Sequence, residues 1–214
     1  MKEVLFIGYV NGLHFLKDSL SCYLPYFDDI RIINNSLAPI DIPDYENVTI
    51  MDMPVSLNCF QTTNWARHVS IEEGMDLLWW SHHDMTVTPE KVVETKEGVY
   101  NLGLADWGVA FTRYDVFCAY NVLAWKDVGP YDDLRFKYYT GDVDMYARFE
   151  HNGWKIIELG QDGVWHRVSG VIREDADRDF VVQKFAEVER ELYCHKWKNN
   201  KSMLERINMW DNPS

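Results

Sequence analysis

The sequence has little positive charge, no paired cysteines and no long apolar run. It has 21 lysines and arginines against 34 aspartates and glutamates, which gives a net charge of -13. This charge argues against a broad basic surface for the phosphate backbone of a nucleic acid. The four cysteines form no CxxC pair, so neither a zinc knuckle nor a dense disulfide framework is indicated. No run reaches transmembrane length, and the opening segment is too short and too acidic for a signal peptide. We therefore expect free thiols and a cytoplasmic location, in the host cytoplasm if the protein is viral.

Apolar and aromatic residues are plentiful in this chain of 214 residues. Apolar types make up 47%, and there are nine Trp, twelve Tyr and ten Phe. Most of these rings are expected in the core, and others could serve as platforms for flat ligands or sugars. The length predicts one compact domain with a sizeable core, and no internal repeat or low-complexity linker divides it.

Short apolar runs and helical patterns alternate along the first half of the chain. Strands are predicted at residues 4–8, 30–33, 48–51 and 77–80, a helix over 14–23, and a second helix capped by Thr63 or Asn64 that stops near Gly74. This order predicts an α/β sheet with helices on its faces.

The second half is predicted with more turns. The pattern indicates a short helix or turn after Pro89, a strand at 107–111, a helix at 113–125 and a loop at 131–141 too polar for the core. A helix beginning at Asp142 and a strand at 154–158 follow. An amphipathic helix from Glu174 closes the chain, with Val181, Phe185, Val188 and Leu192 at helical spacing.

One predicted strand breaks abruptly into side chains that can bind ligands. Leu77 to Trp80 is followed by Ser81, His82, His83 and Asp84, and ligands of open α/β sheets sit at the carboxyl ends of strands. Residues two apart in an extended segment point to the same face, so His82 and Asp84 could converge on one cation while His83 points away. The alternative is that these side chains only cap a helix or bond loop amides.

Two other polar clusters have a functional and a purely structural interpretation. Asn34-Asn35-Ser36 follows the second strand, where its amides could bond a base or ribose or could form a simple Asx turn. Asp142 and Asp144 stand at a predicted helix start, where carboxylates are stabilised by the helix dipole in any case. His166 follows an apolar run, a position more typical of a structural histidine.

Several motifs occur in the order of a known family. After the segment 76–85 come Val128-Gly129-Pro130-Tyr131-Asp132-Asp133-Leu134-Arg135-Phe136, Gly141-Asp142-Val143-Asp144, Asn152-Gly153-Trp154 and Val164-Trp165-His166. Over residues 4–167 this series resembles the GT-A fold of nucleotide-sugar-dependent glycosyltransferases, especially the broad family-2-like group. The resemblance implies a single-domain α/β GT-A fold with a mixed central sheet flanked by helices. It implies a catalytic domain over 1–172, with a C-terminal amphipathic helix and tail, 173–214, packed on it.

The resemblance also implies roles for individual residues. His82-His83-Asp84 corresponds to the DxD motif, with histidine in place of the first acid, and Asp84, His82 and His166 would hold Mn(II) or Mg(II). Asp142 would be the acceptor-side carboxylate and Gly141 stands where the family has a glutamate. The donor nucleotide would contact Tyr9, Asn11, Asn34, Asn35, Asn64, Arg67 and His83. The acceptor or transferred sugar would contact Trp107, Asp144 and Tyr139.

The implied function is a metal-dependent glycosyltransferase that uses a nucleotide-diphosphate sugar, UDP-sugar foremost. The acceptor could be a glycan, a protein or a hydroxymethylated base of phage DNA, which the acidic charge disfavours, and its specificity would lie in the loops 87–102 and 131–140. A local basic patch near the site is predicted from Lys126, Arg135, Lys137, Arg167 and Arg173. One alternative is a noncatalytic nucleotide-sugar or sugar-binding module. Another is a nucleotidyltransferase, although Tyr9-Val10-Asn11-Gly12 lacks the glycine-rich basic loop of that class.

Overall fold

A computed structural model describes residues 1–113, 115–167 and 176–205, with side chains in the last range from 184 onward. Nine strands lie within these residues: β1 (Glu3–Tyr9), β2 (Ile30–Asn34), β3 (Val48–Asp52), β4 (Leu77–His82), β5 (Met85–Val87), β6 (Trp107–Phe111), β7 (Phe117–Asn121), β8 (Lys155–Glu158) and β9 (Val164–His166). The helices are α1 (Leu13–Tyr23), α2 (Cys59–Glu72), α3 (Pro89–Leu102), α4 (Val122–Val128), α5 (Thr140–His151) and α6 (Ala176–Lys196).

Seven strands form one mixed sheet in the order β3-β2-β1-β4-β7-β6-β8. The four strands β3, β2, β1 and β4 are parallel, and β7 runs antiparallel to both of its neighbours. Strands β5 and β9 form a separate antiparallel pair. The predicted α/β architecture with a mixed central sheet and flanking helices is confirmed. No helix in the described ranges is both long and apolar enough to cross a membrane.

The register of the parallel strands brings their polar ends to one edge of the sheet. Gly8 of β1 lies opposite His82 of β4, and Tyr9 lies opposite Asn34 of β2. The pairing register places the carboxyl ends of these parallel strands at the same edge of the sheet. The polar residues that end β2 and β4 therefore lie at one edge.

The central strands are buried on both faces, which is why they read as continuous apolar runs. Trp79 belongs to a core that also contains residues of α1 and α3, whereas Trp80 belongs to a core shared with α2, α4 and α5. Full burial of each such large side chain contributes about 1.5–3 kcal/mol. The packing on two sides fixes β4, and with it the position of the residues at its end.

Two helix predictions in the site region are corrected by the structure. Helix α2 begins at Cys59 rather than near Thr63, because Asn58 and Gln61 form a reciprocal capping box one turn earlier. The helix predicted over 113–125 is wrong, since strand β7 takes up residues 117–121 of that range and pairs with β4 and β6. Pairing on both edges outweighs the local pattern, and only the short α4 remains helical, with Asn121 as its cap.

Three other segments also differ from expectation. Residues 89–102 form the complete helix α3 instead of a short helix or turn. The loop before α5 is not entirely polar surface, because Tyr131 and Phe136 are buried. On α6 the apolar stripe is not the packed face: Phe185, Val188 and Leu192 are exposed, and Glu189 and Tyr193 are buried. The predicted start of this helix at Glu174 lies outside the described residues.

Candidate metal and donor site

Three predicted ligands converge at the edge of the sheet. His82 ends β4, Asp84 follows it, and the pairing of β5 with β9 places His166 opposite Met85. One ligand atom from each of His82, Asp84 and His166 lies within 4.8 Å of the other two, and His166 Nε2 is 3.3 Å from Asp84 Oδ1. A main-chain hydrogen bond also links the two segments that carry these ligands: the Arg167 N–H donates to the Asp84 carbonyl at 3.1 Å. Two imidazoles and a carboxylate form a donor set suited to Mn(II).

The charge state of this cluster follows from its burial and its neighbours. Burial opposes ionisation of Asp84, but the hydrogen bond from His166 and the nearby His82 and His83 outweigh it, so the pKa of Asp84 is lowered. Burial disfavours a charge on His82 as well, yet the neighbouring carboxylates raise its pKa overall. A proton on His82 would have to leave before that ring nitrogen could bind a metal.

The His82 ring also has an unsatisfied nitrogen. Its Nε2 is buried and has no hydrogen-bond partner among the described residues. A buried polar atom without a partner costs about 1–3 kcal/mol, and a bond to a cation, or to a nearby carboxylate while the other ring nitrogen holds the cation, would remove that cost. The residues present therefore fit a divalent metal.

Asp115 is a fourth ionisable neighbour that the sequence analysis missed. It lies in the turn between β6 and β7, and its Oδ1 is 3.8 Å from His82 Nε2. Burial opposes its charge, but His82 outweighs that effect and lowers the pKa of Asp115. The error came from the helix predicted over 113–125. The apolar run Val116 to Tyr120, which is of strand length, was the available signal.

Asp142 stands in the first turn of α5 and has the opposite electrostatic character. Burial, followed by the charge of Asp115, raises the pKa of its carboxyl well above the usual range. The N–H of Val143 donates to Asp142 Oδ1 at 2.8 Å. The pKa of Asp115 is therefore lowered while that of Asp142 is raised. Two carboxyl groups with pKa values shifted in opposite directions are typical of acid–base chemistry.

Gly141, beside Asp142, is required by the packing of an aromatic ring. A Cβ atom at this position would lie 2.5 Å from the ring of Phe60. Phe60 is itself buried and stacks on Tyr131 with centroids 4.9 Å apart. The ring therefore occupies the space that a side chain at residue 141 would need, which accounts for the glycine where the family has a glutamate.

Substituting Gly141 with alanine is expected to destabilise the protein by about 1–3 kcal/mol, because a buried ring must move to admit the methyl group. Gly98→Ala is the matched control: it lies inside α3, its added Cβ would make an ordinary 3.4 Å contact with Leu159, and replacing a helical glycine stabilises by about 0.4–1 kcal/mol. Urea denaturation of both variants checks the pair. A Gly141→Ala variant as stable as the wild type would contradict the packing argument.

Two predicted donor-binding residues lie beside the metal ligands. His83 Nδ1 is 2.8 Å from the Gly8 carbonyl, and the ring packs edge-on against Tyr9 with centroids 5.5 Å apart. Burial lowers the pKa of His83 despite the charge of Asp84, so the ring is neutral. His83 Nε2 is buried without a partner in the described part of the chain. Asn11 is exposed on the turn that follows β1.

The other predicted donor residues hold the local loops together. The Asn34 amide donates to the Ala38 carbonyl and to Asp52, and its oxygen accepts from Ser36, so the Asx-turn interpretation describes its contacts. Asn35 exchanges two hydrogen bonds with the main chain of Leu57.

The two predicted donor residues on α2 also make structural contacts. Asn64 bonds both the N–H and the carbonyl of Tyr131, and Arg67 donates to the Trp125 carbonyl. Each helps to position the segment before α5, and their predicted contacts with nucleotide are not tested by this arrangement.

The predicted acceptor residues are dispersed. Tyr139 immediately precedes α5 and is partly exposed there. Asp144 is fully buried and accepts from Arg148, Lys196 and Trp197, so it ties α5 to the end of α6. Trp107 is buried at the start of β6, at the other end of the strands from His82. Its Nε1 donates to the Gly103 carbonyl. The structure does not bring Trp107 to the site.

The predicted basic patch is broken by acidic partners. Arg135 pairs with Asp132 at 2.6 Å and Arg167 lies 3.5 Å from Asp18. Arg173 lies outside the described residues. Of the two predicted acceptor loops, the range 87–102 is mostly helix α3, whereas 131–140 leads directly to Asp142.

No protein-family model and no curated protein sequence matches this chain, but solved structures do. Staphylococcus aureus TarS 1-349 matches 98% of this chain over 78% of its own length, at 10% identity and a TM-score of 0.55. Glucosyl-3-phosphoglycerate synthase from Mycobacterium tuberculosis matches 88% of this chain over 78% of its own, at 10% identity and a TM-score of 0.57. GalNAc-T7 matches 77% of this chain over 43% of its own, at 8% identity and a TM-score of 0.56. At such identities the shared property is the fold, and this chain therefore has the GT-A fold of nucleotide-sugar glycosyltransferases.

Proposed function

We propose that this protein is a metal-dependent glycosyltransferase that moves a sugar from a nucleotide diphosphate, UDP foremost, to an acceptor hydroxyl. The observation that carries the proposal is the convergence of His82, Asp84 and His166 at the carboxyl edge of a GT-A sheet. The crystal structures of GalNAc-T7 and of the M. tuberculosis synthase both contain UDP and Mn2+.

His82, Asp84 and His166 would hold the ion, with Mn(II) or Mg(II) as the candidates. Three protein ligands leave coordination positions open for oxygen atoms of a diphosphate. When bound, the cation supplies positive charge that offsets the charge growing on the leaving nucleotide. Tyr9 and His83, at the ends of β1 and β4, would lie against the donor at the same edge of the sheet.

Asp142 is the candidate base on the acceptor side. The acceptor hydroxyl loses its proton as it attacks the sugar, and a carboxylate with a raised pKa is better matched to accept that proton near neutral pH. This role holds for an inverting reaction. In a retaining reaction Asp142 would orient the acceptor, and the nature of the acceptor, whether glycan, protein or DNA base, stays open.

The two alternatives have less support. A noncatalytic binding module accounts for the altered motif, but it gives no role to Asp142, whose pKa is raised by burial and by the charge of Asp115. For a nucleotidyltransferase, the turn after β1 should carry a glycine-rich basic loop, and Tyr9-Val10-Asn11-Gly12 has one glycine and no basic residue.

Thermal unfolding with UDP-, GDP-, CDP- and dTDP-sugars, each with Mn(II), Mg(II) or a chelator, tests the proposal. A ligand at a hundredfold excess over its Kd stabilises by about 2.7 kcal/mol, so one nucleotide with metal should raise the melting temperature. Asp84→Asn should abolish the metal-dependent part of that rise. Asp106→Asn is the control, because this exposed carboxylate pairs with Lys155 away from the site. A rise that persists in Asp84→Asn or in chelator would overturn metal-dependent donor binding. The absence of any rise would overturn nucleotide-sugar binding and favour a noncatalytic module that binds sugar alone.

A further inference from the structure

The replacement of the first acid of the metal motif by His82 leaves the cluster with one carboxylate instead of two. Asp84 alone supplies negative charge among the three converging side chains. A divalent cation bound by one carboxylate and two neutral imidazoles keeps a net positive charge, which a second nearby carboxylate would offset. The inference that follows rests on the metal site of the proposed function.

A second carboxylate does lie next to the substituted residue. Asp115 Oδ1 is 3.8 Å from His82 Nε2, and the Asp115 side chain is only 16% exposed. Asp115 belongs to the turn between β6 and β7, far from residues 82–84 in sequence. Its approach to His82 is therefore a property of the sheet and not of the local motif.

Rigid elements hold this pair in place. Ser81 of β4 lies opposite Phe117 of β7, and the His82 N–H donates to the Val116 carbonyl at 2.9 Å. Both strands lie inside the sheet with neighbours on each side. Main-chain hydrogen bonds therefore fix the backbone next to Asp115 relative to His82.

We propose that Asp115 replaces the missing acid of the motif by positioning His82 as a metal ligand and supplying the second negative charge. Carboxylates next to metal-binding histidines orient the ring and raise its basicity, and their loss typically weakens metal affinity about 10–100-fold. Asp115 would act in this way on Nε2 of His82, with the other ring nitrogen, Nδ1, left to hold the ion. It is a positioning residue for the metal centre.

Mn(II) binding to the nucleotide-free protein, followed by the EPR signal of free Mn(II), tests the inference without any assay of transfer. Asp115→Asn should weaken Mn(II) affinity about 10–100-fold. In a His82→Ala background the same substitution should have no further effect, because the partner through which Asp115 acts is gone. The double variant His82→Asp with Asp115→Asn should recover affinity, because it returns the acid to the motif. Asp106→Asn should bind as the wild type does.

Each result supports or overturns the inference. Unchanged Mn(II) affinity in Asp115→Asn, or a loss that adds fully to that of His82→Ala, would overturn it while leaving the metal site intact. Asp115→Glu is a second variant should Asp115→Asn not fold: it keeps the charge and should bind within a few-fold of the wild type, and a loss of 10-fold or more would overturn the role given to the charge of Asp115. Failure of the wild type to bind Mn(II) would instead overturn the metal site itself.

Discussion

Replacing Asp142 with asparagine is expected to remove sugar transfer while leaving donor binding intact. A positioned general base contributes about 10²–10⁴-fold to the rate, and kcat should fall by that factor because asparagine cannot accept a proton. The Kd for the donor should stay within about twofold, because Asp142 belongs to α5 and not to the cluster of His82, Asp84 and His166. Transfer is measured with the donor found in the thermal-shift panel. A fall in donor affinity as large as the fall in kcat would exclude Asp142 as the base.

The same substitution is expected to stabilise the metal-free protein at neutral pH. Because the pKa of Asp142 is higher in the folded than in the unfolded state, ionisation costs folding free energy, and that cost is absent below the unfolded pKa of about 3.9. It develops as the pH rises from there through the raised pKa. The melting temperature of Asp142→Asn relative to wild type should therefore increase from pH 4 to pH 8. A constant or falling difference would show that Asp142 is not disfavoured by its surroundings.

The parallel half of the fold could be predicted because its signals are local. Strands buried on both faces appear as short apolar runs, and the polar residues after β1, β2 and β4 mark the edge at which parallel strands end. The antiparallel strand β7 could not be placed in this way. Strand β7 ends at Asn121 and α4 begins at the next residue, so the sequence shows a mainly apolar segment in which no turn marks the end of the strand. Only pairing with β4 and β6 makes that segment extended.

The same distinction applies to the candidate site. His82 and Asp84 lie two residues apart, and the geometry of a strand end predicts that they share a face. Asp115 reaches His82 only through the pairing of two strands that are separate in sequence. For Asn34 the local sequence does not decide between two roles, because its amide suits either a ligand or a turn. Its contacts to Ala38, Ser36 and Asp52 depend on the path of a loop that no short motif specifies.

The start of α5 is held by a residue from the far end of the chain. Its N-cap residue, Tyr139, makes no side-chain cap. Instead the carboxylate of Glu189 on α6, itself 1% exposed, accepts from the N–H groups of residues 137, 138, 139 and 140 at 2.6 to 3.3 Å. A carboxylate at a helix N-terminus is also favoured by the helix dipole. Since Asp142 lies in the following turn, Glu189 fixes the backbone that presents the candidate base.

Glu189→Ala is accordingly expected to destabilise the protein by about 3–5 kcal/mol, since four N–H groups, one of them on the buried Thr140, lose their acceptor and a buried group left unpaired costs about 1–3 kcal/mol. Transfer should fall together with stability, because the loop over residues 131–140 and the first turn of α5 lose their anchor. Urea denaturation gives the free energy of unfolding, and hydrogen exchange at residues 137–140 reports the loss locally. Exchange there should accelerate far more than in the central strands.

Glu187→Ala is the matched control on the same helix. Glu187 is exposed and pairs only with Lys184 one turn away among the described residues, so its loss should change stability by less than about 0.5 kcal/mol. Glu189→Gln separates shape from charge: it keeps one acceptor oxygen and should fall between the wild type and Glu189→Ala. If Glu189→Ala were within 1 kcal/mol of the wild type, or if exchange at residues 137–140 were unchanged, the N-terminus of α5 would be held by other contacts and α6 would have no part in positioning Asp142.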